Sequence, residues 1–467
     1  MSRRTGCMSC RRDASSVPAD PSSLANWRKA AMPPLPERRN EDQSRHPIDT
    51  APLRRFDEWL AATGLPAGEV EARRRALTRA LALGLPGPKD EAWRTMDLKG
   101  RTIADFLPAP AIVKAGPTAL PEGAQDSDLV FIDGRILHRS EHAARMRPHD
   151  LADPAPVVRK DDDREGGVDD VFRLLNRATS THGFALALDA GEEAPALRIR
   201  DLAQGSGAHA RHCLSLGAGA RGSIVIEEEA AAGLVRNGVI DVALARDARL
   251  DLVLIQRTGT GAHHLLRLFA GVAAGARLTV RHLVLGGGAA RAEQVWTLDG
   301  AEAHGDLAGL LLAPAPARLD LAVEIAHRSG AATSDQHLRA IAAPAARAAA
   351  AGRILVAPGA DATEAHQQLR GLLLASGAEC DFKPELEIHA EEVVCSHGAA
   401  IGSLDDTQLF YLMSRGLDTR AARRVLMEAF AAERLLTIDG DDPARAWIGR
   451  AIAEGMDMLA MEEASDG

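Results

Sequence analysis

The chain has 467 residues, 26% of them charged, and a formal net charge of −10. That acidity argues against a nucleic-acid partner, which selects a basic face. No run approaches about eighteen uninterrupted apolar residues, so no membrane span is expected, and five cysteines in so long a chain argue against a disulfide framework and for a reducing cytoplasm.

Residues 1 to 50 are rich in Arg, Asp, Ser and Pro with little periodicity, and read as a disordered N-terminal extension. They carry positive charge but no apolar stretch of the kind a secretory signal needs. Cys7 and Cys10 form a C-x-x-C here. Without a second such pair or a strand–helix–strand context, two thiols in a polar tail are the simpler reading than half a zinc site.

From Pro52 to Phe106 the pattern turns helical. Phe56, Trp59 and Leu60, then Ala76, Leu77, Ala80 and Leu81, recur at spacings of three and four. Gly64-Leu65-Pro66 should break a first helix and Gly84-Leu85-Pro86 end a second. These features define a small N-terminal helical domain, residues 51–121, closed by a Pro-rich linker from Leu107 to Pro121.

Residues 122–402 read as strands. Leu129 to Ile132 leads into a turn at Asp133-Gly134, and β-like runs follow at Ser223 to Ile226, Leu250 to Leu254, Leu278 to Val280 and Leu319 to Ile325. Ala220-Arg221, Ala248-Arg249, Ala276-Arg277 and Ala317-Arg318 each stand just before a strand, and the first three arginines are 28 residues apart. A fixed period in this range marks a stacked repeat. Strands at that period without long intervening helices predict a β-solenoid, whose coils bury their inner faces only against neighbours. Gly286-Gly287-Gly288 reads as a corner of that coil.

Residues 403–467 return to helix. Ser403 with Asp406 suggests a capping box, and Gly416 a stop. A second helix from Asp418 or Thr419 carries Val425, Leu426, Ala429, Phe430 and Leu436. A third, opened by Asp442-Pro443, lines up Ile448, Ile452, Met456 and Leu459. This tail should close the open end of the solenoid, offer a partner its surface, or do both.

The chemistry begins with absences. There is no phosphate-binding G-x-x-x-x-G-K-[ST] loop, no G-x-S-x-G elbow and no H-E-x-x-H. His263-His264 and His209-x-x-His212 are possible ligand pairs but read first as surface or core histidines, and Cys213 as a small buried hydrophobe. Cys395-Ser396-His397 is different. In an extended strand alternate side chains leave on one face, so Cys395 and His397 would present a thiolate and an imidazole side by side, both suited to iron. Glu385, Glu387, Glu391 and Glu392 nearby could raise local cation affinity or be a solvated strand face. Two protein ligands are fewer than the roughly four a cluster needs, so another polypeptide would have to complete the site.

The segment around this pair resembles the SufD branch of the SufB/SufD family of iron–sulfur cluster assembly proteins. The resemblance rests on Lys383-Pro384, Leu386-Glu387-Ile388, Cys395-Ser396-His397-Gly398-Ala399, Leu409-Phe410-Tyr411-Leu412 and Ser414-Arg415-Gly416. It is extended by Val356-Ala357-Pro358-Gly359-Ala360 and by Lys89-Asp90-Glu91-Ala92-Trp93-Arg94. The SufB branch typically reads His-Glu-Ala where this chain has His397-Gly398-Ala399.

The resemblance implies a mainly β protein with a right-handed parallel β-helix core flanked by helical domains. It also implies a non-enzymatic scaffold subunit, paired with SufB and moved by the ATPase SufC. His397 and Cys395 would be iron-site ligands at the SufB interface, where a cluster is held transiently. Leu426 and Phe430 would contact SufC, and a reduced flavin accompanies the complex. A self-associating SufB-like scaffold and a β-helix carbohydrate-active enzyme are the competing expectations.

Overall fold

A computed structural model describes residues 51–87, 89–96, 98, 100–108, 120, 124–149, 170–205, 209–437 and 444–463. The expected disordered extension, with Cys7 and Cys10, lies outside the described residues, as do most of the Pro-rich linker and Asp442-Pro443.

Helices α1 (Ala51–Thr63) and α2 (Ala67–Leu83) form where the threefold and fourfold spacing placed them. Phe56, Trp59, Leu60, Ala76, Leu77 and Ala80 are buried. Gly64 and Gly84 both adopt positive φ, 66° and 70°, a conformation glycine enters without a Cβ penalty. Gly84 also donates its N–H to the Ala80 carbonyl at 3.0 Å, closing α2.

The centre is a two-sheet parallel β-solenoid. A hairpin of β1 (Leu129–Ile132) and β2 (Arg135–Arg139), β3 (Met146–His149) and a short helix α3 (Val171–Thr179) precede the regular coils. The nine-residue α3, capped by the Asp170 carboxylate accepting from the Phe172 and Arg173 N–H groups, was not anticipated from the sequence. The coils then alternate strands between two sheets. One sheet takes β5 (Leu197–Ala203), β7 (Arg221–Ala230), β9 (Arg249–Thr258), β11 (Arg277–Gly286), β13 (His304–Ala313), β15 (Thr333–Ala342), β17 (Thr363–Leu373) and β19 (Val393–Gly402). The other takes β4 (His182–Leu188), β6 (Ala210–Leu216), β8 (Val235–Leu244), β10 (His263–Val272), β12 (Ala289–Leu298), β14 (Arg318–His327), β16 (Arg347–Val356) and β18 (Glu379–Ile388). With the hairpin, one sheet has ten strands; with β3 the other has nine.

The 28-residue period is one coil. Arg221, Arg249 and Arg277 are register partners in β7, β9 and β11. Arg318 instead opens β14 in the other sheet, so the fourth Ala-Arg pair does not belong to that column. Alternate side chains point into the lumen and are covered above and below by the next coil. Leu252, Val280 and Leu307 form one such column, and Leu266, Ala292 and Leu321 face them from the other sheet.

The helices do not cap the solenoid. The last three are α4 (Asp406–Ser414), α5 (Thr419–Ala432) and α6 (Ala444–Glu463). Met427 and Ala431 of α5 and Ile448, Ile452, Met456 and Leu459 of α6 pack against Ile255, Leu283, Leu310 and Ile341, on the outer face of the ten-stranded sheet. Gly455 lets α6 come so close to β13 that a Cβ would lie 2.3 Å from Leu312 Cδ1. The N-terminal helices, with α3, pack on the opposite face against Val235 and Leu265. The sheet face is the broad surface against which this apolar stripe buries. The cap of α4 is Asp405, whose carboxylate accepts from Thr407 and Gln408 N–H, rather than Ser403. Gly416, at φ 99°, ends it as expected. Among the described residues no helix is long and apolar enough to cross a membrane.

Gly286-Gly287-Gly288 turns the chain from β11 to β12. At Gly286, φ is 123° and a Cβ would sit 2.0 Å from the Thr258 carbonyl oxygen of the coil below. Gly286→Ala is therefore expected to cost about 2 kcal/mol or more, since overpacking and backbone strain add. Urea unfolding monitored by circular dichroism measures it, and an unchanged midpoint would refute the corner's tightness.

Candidate functional site at the bare end of the solenoid

At the N-terminal end of the coil stack the strands turn antiparallel, β1 with β2 and β3 with β4. At the other end, among the described residues, β19 pairs only with β17, and β18 only with β16. The last coil thus keeps one side of its backbone ladder unpaired.

Cys395 and His397 lie on β19, one residue between them. Their register partners on β17 are Ala365 and Gln367, both buried. Gln367 is inward-facing: a Cβ on Gly352 of β16, in the opposite sheet, would lie 2.2 Å from its Nε2. Cys395 and His397 therefore continue two lumen columns, over which no further coil lies among the described residues. The column below His397 changes character toward this end. Leu252, Val280 and Leu307 give way to Gln336 and Gln367, with Gln367 Nε2 donating to Gln336 Oε1 at 3.0 Å. His397 ends this polar run, exposed.

Cys395 is half-buried beside Ile354, Val356, Ala360 and Ala365. Burial pushes its thiol up, against the opposing effect of a backbone hydrogen bond with Ala365. The resting group is a thiol, and a bound cation would be needed to draw off its proton. Cys380, on β18, faces Gly371 across the lumen, and burial pushes it up to about 11, the behaviour of an inert buried thiol. Cys213 is half-buried rather than core.

The acidic residues divide. Glu385 and Glu387 sit on the outward side of β18, alternating with Pro384 and Leu386, and are neutralised there. Lys383 Nζ stands 3.0 Å from Glu385, while Glu387 takes Arg353 and, at 2.9 Å, His389 Nε2. They do not converge on Cys395 and His397. Glu391 and Glu392 occupy the exposed corner before β19. Around the bare edge, Ile388, Val394, Ile401, Phe410, Tyr411 and Met413 are exposed apolar side chains, Phe410 at 73%. Isolated exposed apolar residues are ordinary, but several on consecutive elements beside unpaired strands mark an interaction surface.

The two residues expected at a partner surface on α5 differ in setting. Leu426 is half-buried. Phe430 is also half-buried, but it packs against the sheet-facing cluster and under the Arg339 guanidinium, 4.8 Å from its ring. Sequence reasoning missed a second polar group deep in the lumen, around Asp201, His212, Glu228 and Arg236. Its signal was present: inward polar residues recurring one coil apart, as Arg236 and His264 do.

A family model described as "SUF system FeS cluster assembly, SufBD core domain" matches residues 199–430. The chain is 30% identical over 372 residues to the iron–sulfur cluster assembly protein SufD of Escherichia coli, covering 76% of this chain and 86% of that one. It is 48% identical over 90 residues to an iron–sulfur cluster assembly SufBD family protein of Synechocystis, 19% of this chain and 20% of the relative. It is also 31% identical over 199 residues to a chloroplastic protein of Arabidopsis thaliana, ABCI7, 42% of each chain. The coil register, the uncovered Cys-x-His pair and the extent of these matches agree: the chain belongs to the SufB/SufD family of iron–sulfur cluster assembly proteins and is of the SufD type.

Proposed function

We propose that this chain is the SufD subunit of a cytoplasmic SufB–SufC–SufD scaffold. In this reading its bare edge is completed by SufB, and a nascent iron–sulfur cluster, the cargo, forms between them. The observation that carries the reading is the position of Cys395 and His397, inward-facing on a last coil that no other described strand covers. A lumen-facing thiol and imidazole left open are half of a metal-handling site. Unpaired β18 and β19 with exposed Phe410 and Tyr411 supply the means of recruiting the other half, through backbone pairing and apolar burial.

His397, exposed, would be the ligand or proton-transfer group that reaches incoming iron first. Cys395 would join as thiolate once the cation offsets its burial. The right-handed winding of the family's β-helix, the usual hand of parallel crossovers, belongs to the same reading, as do the helical units at 51–121 and 403–467. The outer helices α5 and α6 would dock SufC, whose nucleotide-driven closure would shift this subunit against SufB. A reduced flavin would serve as electron source, with no residue of this chain assigned to it.

His397→Ala removes an exposed side chain, so the thermal midpoint should be unchanged while cluster-dependent enzyme activity in cells falls about tenfold, the usual scale for a metal-site lesion. Full activity in that strain would remove His397 from the site. Leu426→Asp should weaken SufC binding about tenfold, or ~1.4 kcal/mol, by isothermal titration. Leu426 is the cleaner test than Phe430, because Phe430 also holds α5 to the sheet. An unaltered dissociation constant would sink the docking surface.

A further inference from the structure

The lumen is not apolar throughout. In the ten-stranded sheet, Asp201 of β5 and Glu228 of β7 are register partners, one coil apart and both fully buried. Two carboxylates side by side in adjacent strands repel each other. The nine-stranded sheet answers them across the lumen with Arg236 of β8, His182 of β4, His212 of β6 and His264 of β10, each 0% exposed.

The contacts use the group's atoms unevenly. Arg236 Nη2 lies 2.6 Å from Asp201 Oδ2 and its Nε 3.1 Å from Glu228 Oε2. His182 Nε2 also engages Asp201 Oδ2, at 2.7 Å, and His264 Nε2 engages Glu228 Oε2, at 3.2 Å. Asp201 Oδ1 and Glu228 Oε1 are left without a hydrogen bond. So are both ring nitrogens of His212. Its Nε2 stands 3.6 Å from Glu228 Oε1 and 3.9 Å from Asp201 Oδ2, and its ring stacks on Phe184 with centroids 4.5 Å apart. One ligand atom from each of Asp201, His212 and Glu228 lies within 4.8 Å of the others. Gly238 leaves room for the Glu228 carboxylate, since a Cβ there would come within 2.8 Å of it.

Burial works to raise both carboxyls, but the Arg236 guanidinium and the neighbouring imidazoles together outweigh it. The Asp201 carboxyl is held at about 2 and that of Glu228 well below its usual range. Both are ionised at neutral pH. The two carboxylates share one guanidinium, Arg236, at these distances. A fully buried imidazole with no hydrogen bond, 3.6 Å from the equally unbonded Glu228 Oε1 and beside the Asp201 carboxylate, whose Oδ1 is also unbonded, is the donor set of a divalent transition ion. Arg236, His182 and His264 then stand as the outer partners that orient the ligands.

We propose that Asp201, His212 and Glu228 form an interior site for one divalent first-row transition ion, taken up as the coils close and separate from the Cys395–His397 edge. Because the lumen is sealed by the coils, the ion should be acquired on folding and resist removal afterwards. The test refolds the full chain with Zn(II), washes it with EDTA and counts retained zinc by native mass spectrometry and elemental analysis. The expected result is about one zinc per chain, retained equally by the Cys395→Ala/His397→Ala double variant and lowered about tenfold or more by His212→Ala and by Glu228→Gln. Wild-type chain holding less than about a tenth of an ion, or zinc that stays in the His212 and Glu228 variants, or zinc that leaves with Cys395 and His397, each overturns the proposal. If His212→Ala does not fold, the wild-type chain and the edge double variant decide it by themselves, since both must hold the ion. That last variant also keeps this outcome distinct from the fate of the edge reading.

Discussion

Every inward side chain of this molecule depends on the coil laid over it. A two-strand coil has no core of its own; its lumen residues become buried only when the next coil stacks in register. This one constraint explains the apolar columns at the centre and the antiparallel strands that finish the N-terminal end. It also explains why Cys395 and His397 are open. They occupy positions that are buried wherever another coil follows, as Ala365 and Gln367 show directly beneath them. The functional edge is thus an ordinary lumen position at which the stack stops.

The same constraint raises the stakes for polar residues inside. A charge in the lumen cannot reach water, so it must find its partner across the gap between the sheets. Asp201 and Glu228 do so through Arg236, whose guanidinium both carboxylates hold more firmly charged against the effect of burial. Outside the lumen, His209 is buried under the N-terminal helices and kept neutral by burial, down at about 3, with Nε2 bonded to the Phe106 carbonyl. Polar side chains in this lumen are placed in sets, each depending on a partner a coil or a sheet away. Near the bare end Gln336 and Gln367 extend that polarity toward His397.

The helices show where local pattern and global placement separate. The stripe of Ile448, Ile452, Met456 and Leu459 predicts a buried helix face, and all four are buried. What they bury against does not follow from the stripe. A cap over the open end and a brace along the sheet would need the same apolar spacing, and the brace is what forms. Capping atoms behave alike: Ser403 is the expected start of α4, and backbone geometry puts the cap two residues on, at Asp405. The nine-residue α3 was hidden within a strand-rich region because a helix this short gives little more than two turns of periodicity.

From the residues alone come the coil length, in the arginines at 221, 249 and 277, the strand runs they open, and the Cys-x-His block with its surrounding signature. These are local features, set by backbone alternation and by spacing along one chain. Tertiary structure alone decided which side of each strand faces the lumen at the charged positions. It brought Asp201, His212 and Glu228 within reach of one another, and among the described residues it left β18 and β19 each with one free edge. The reason is geometric: a period of two says that side chains alternate, but only the stacking of one coil on another says which set meets, and where the stacking ends.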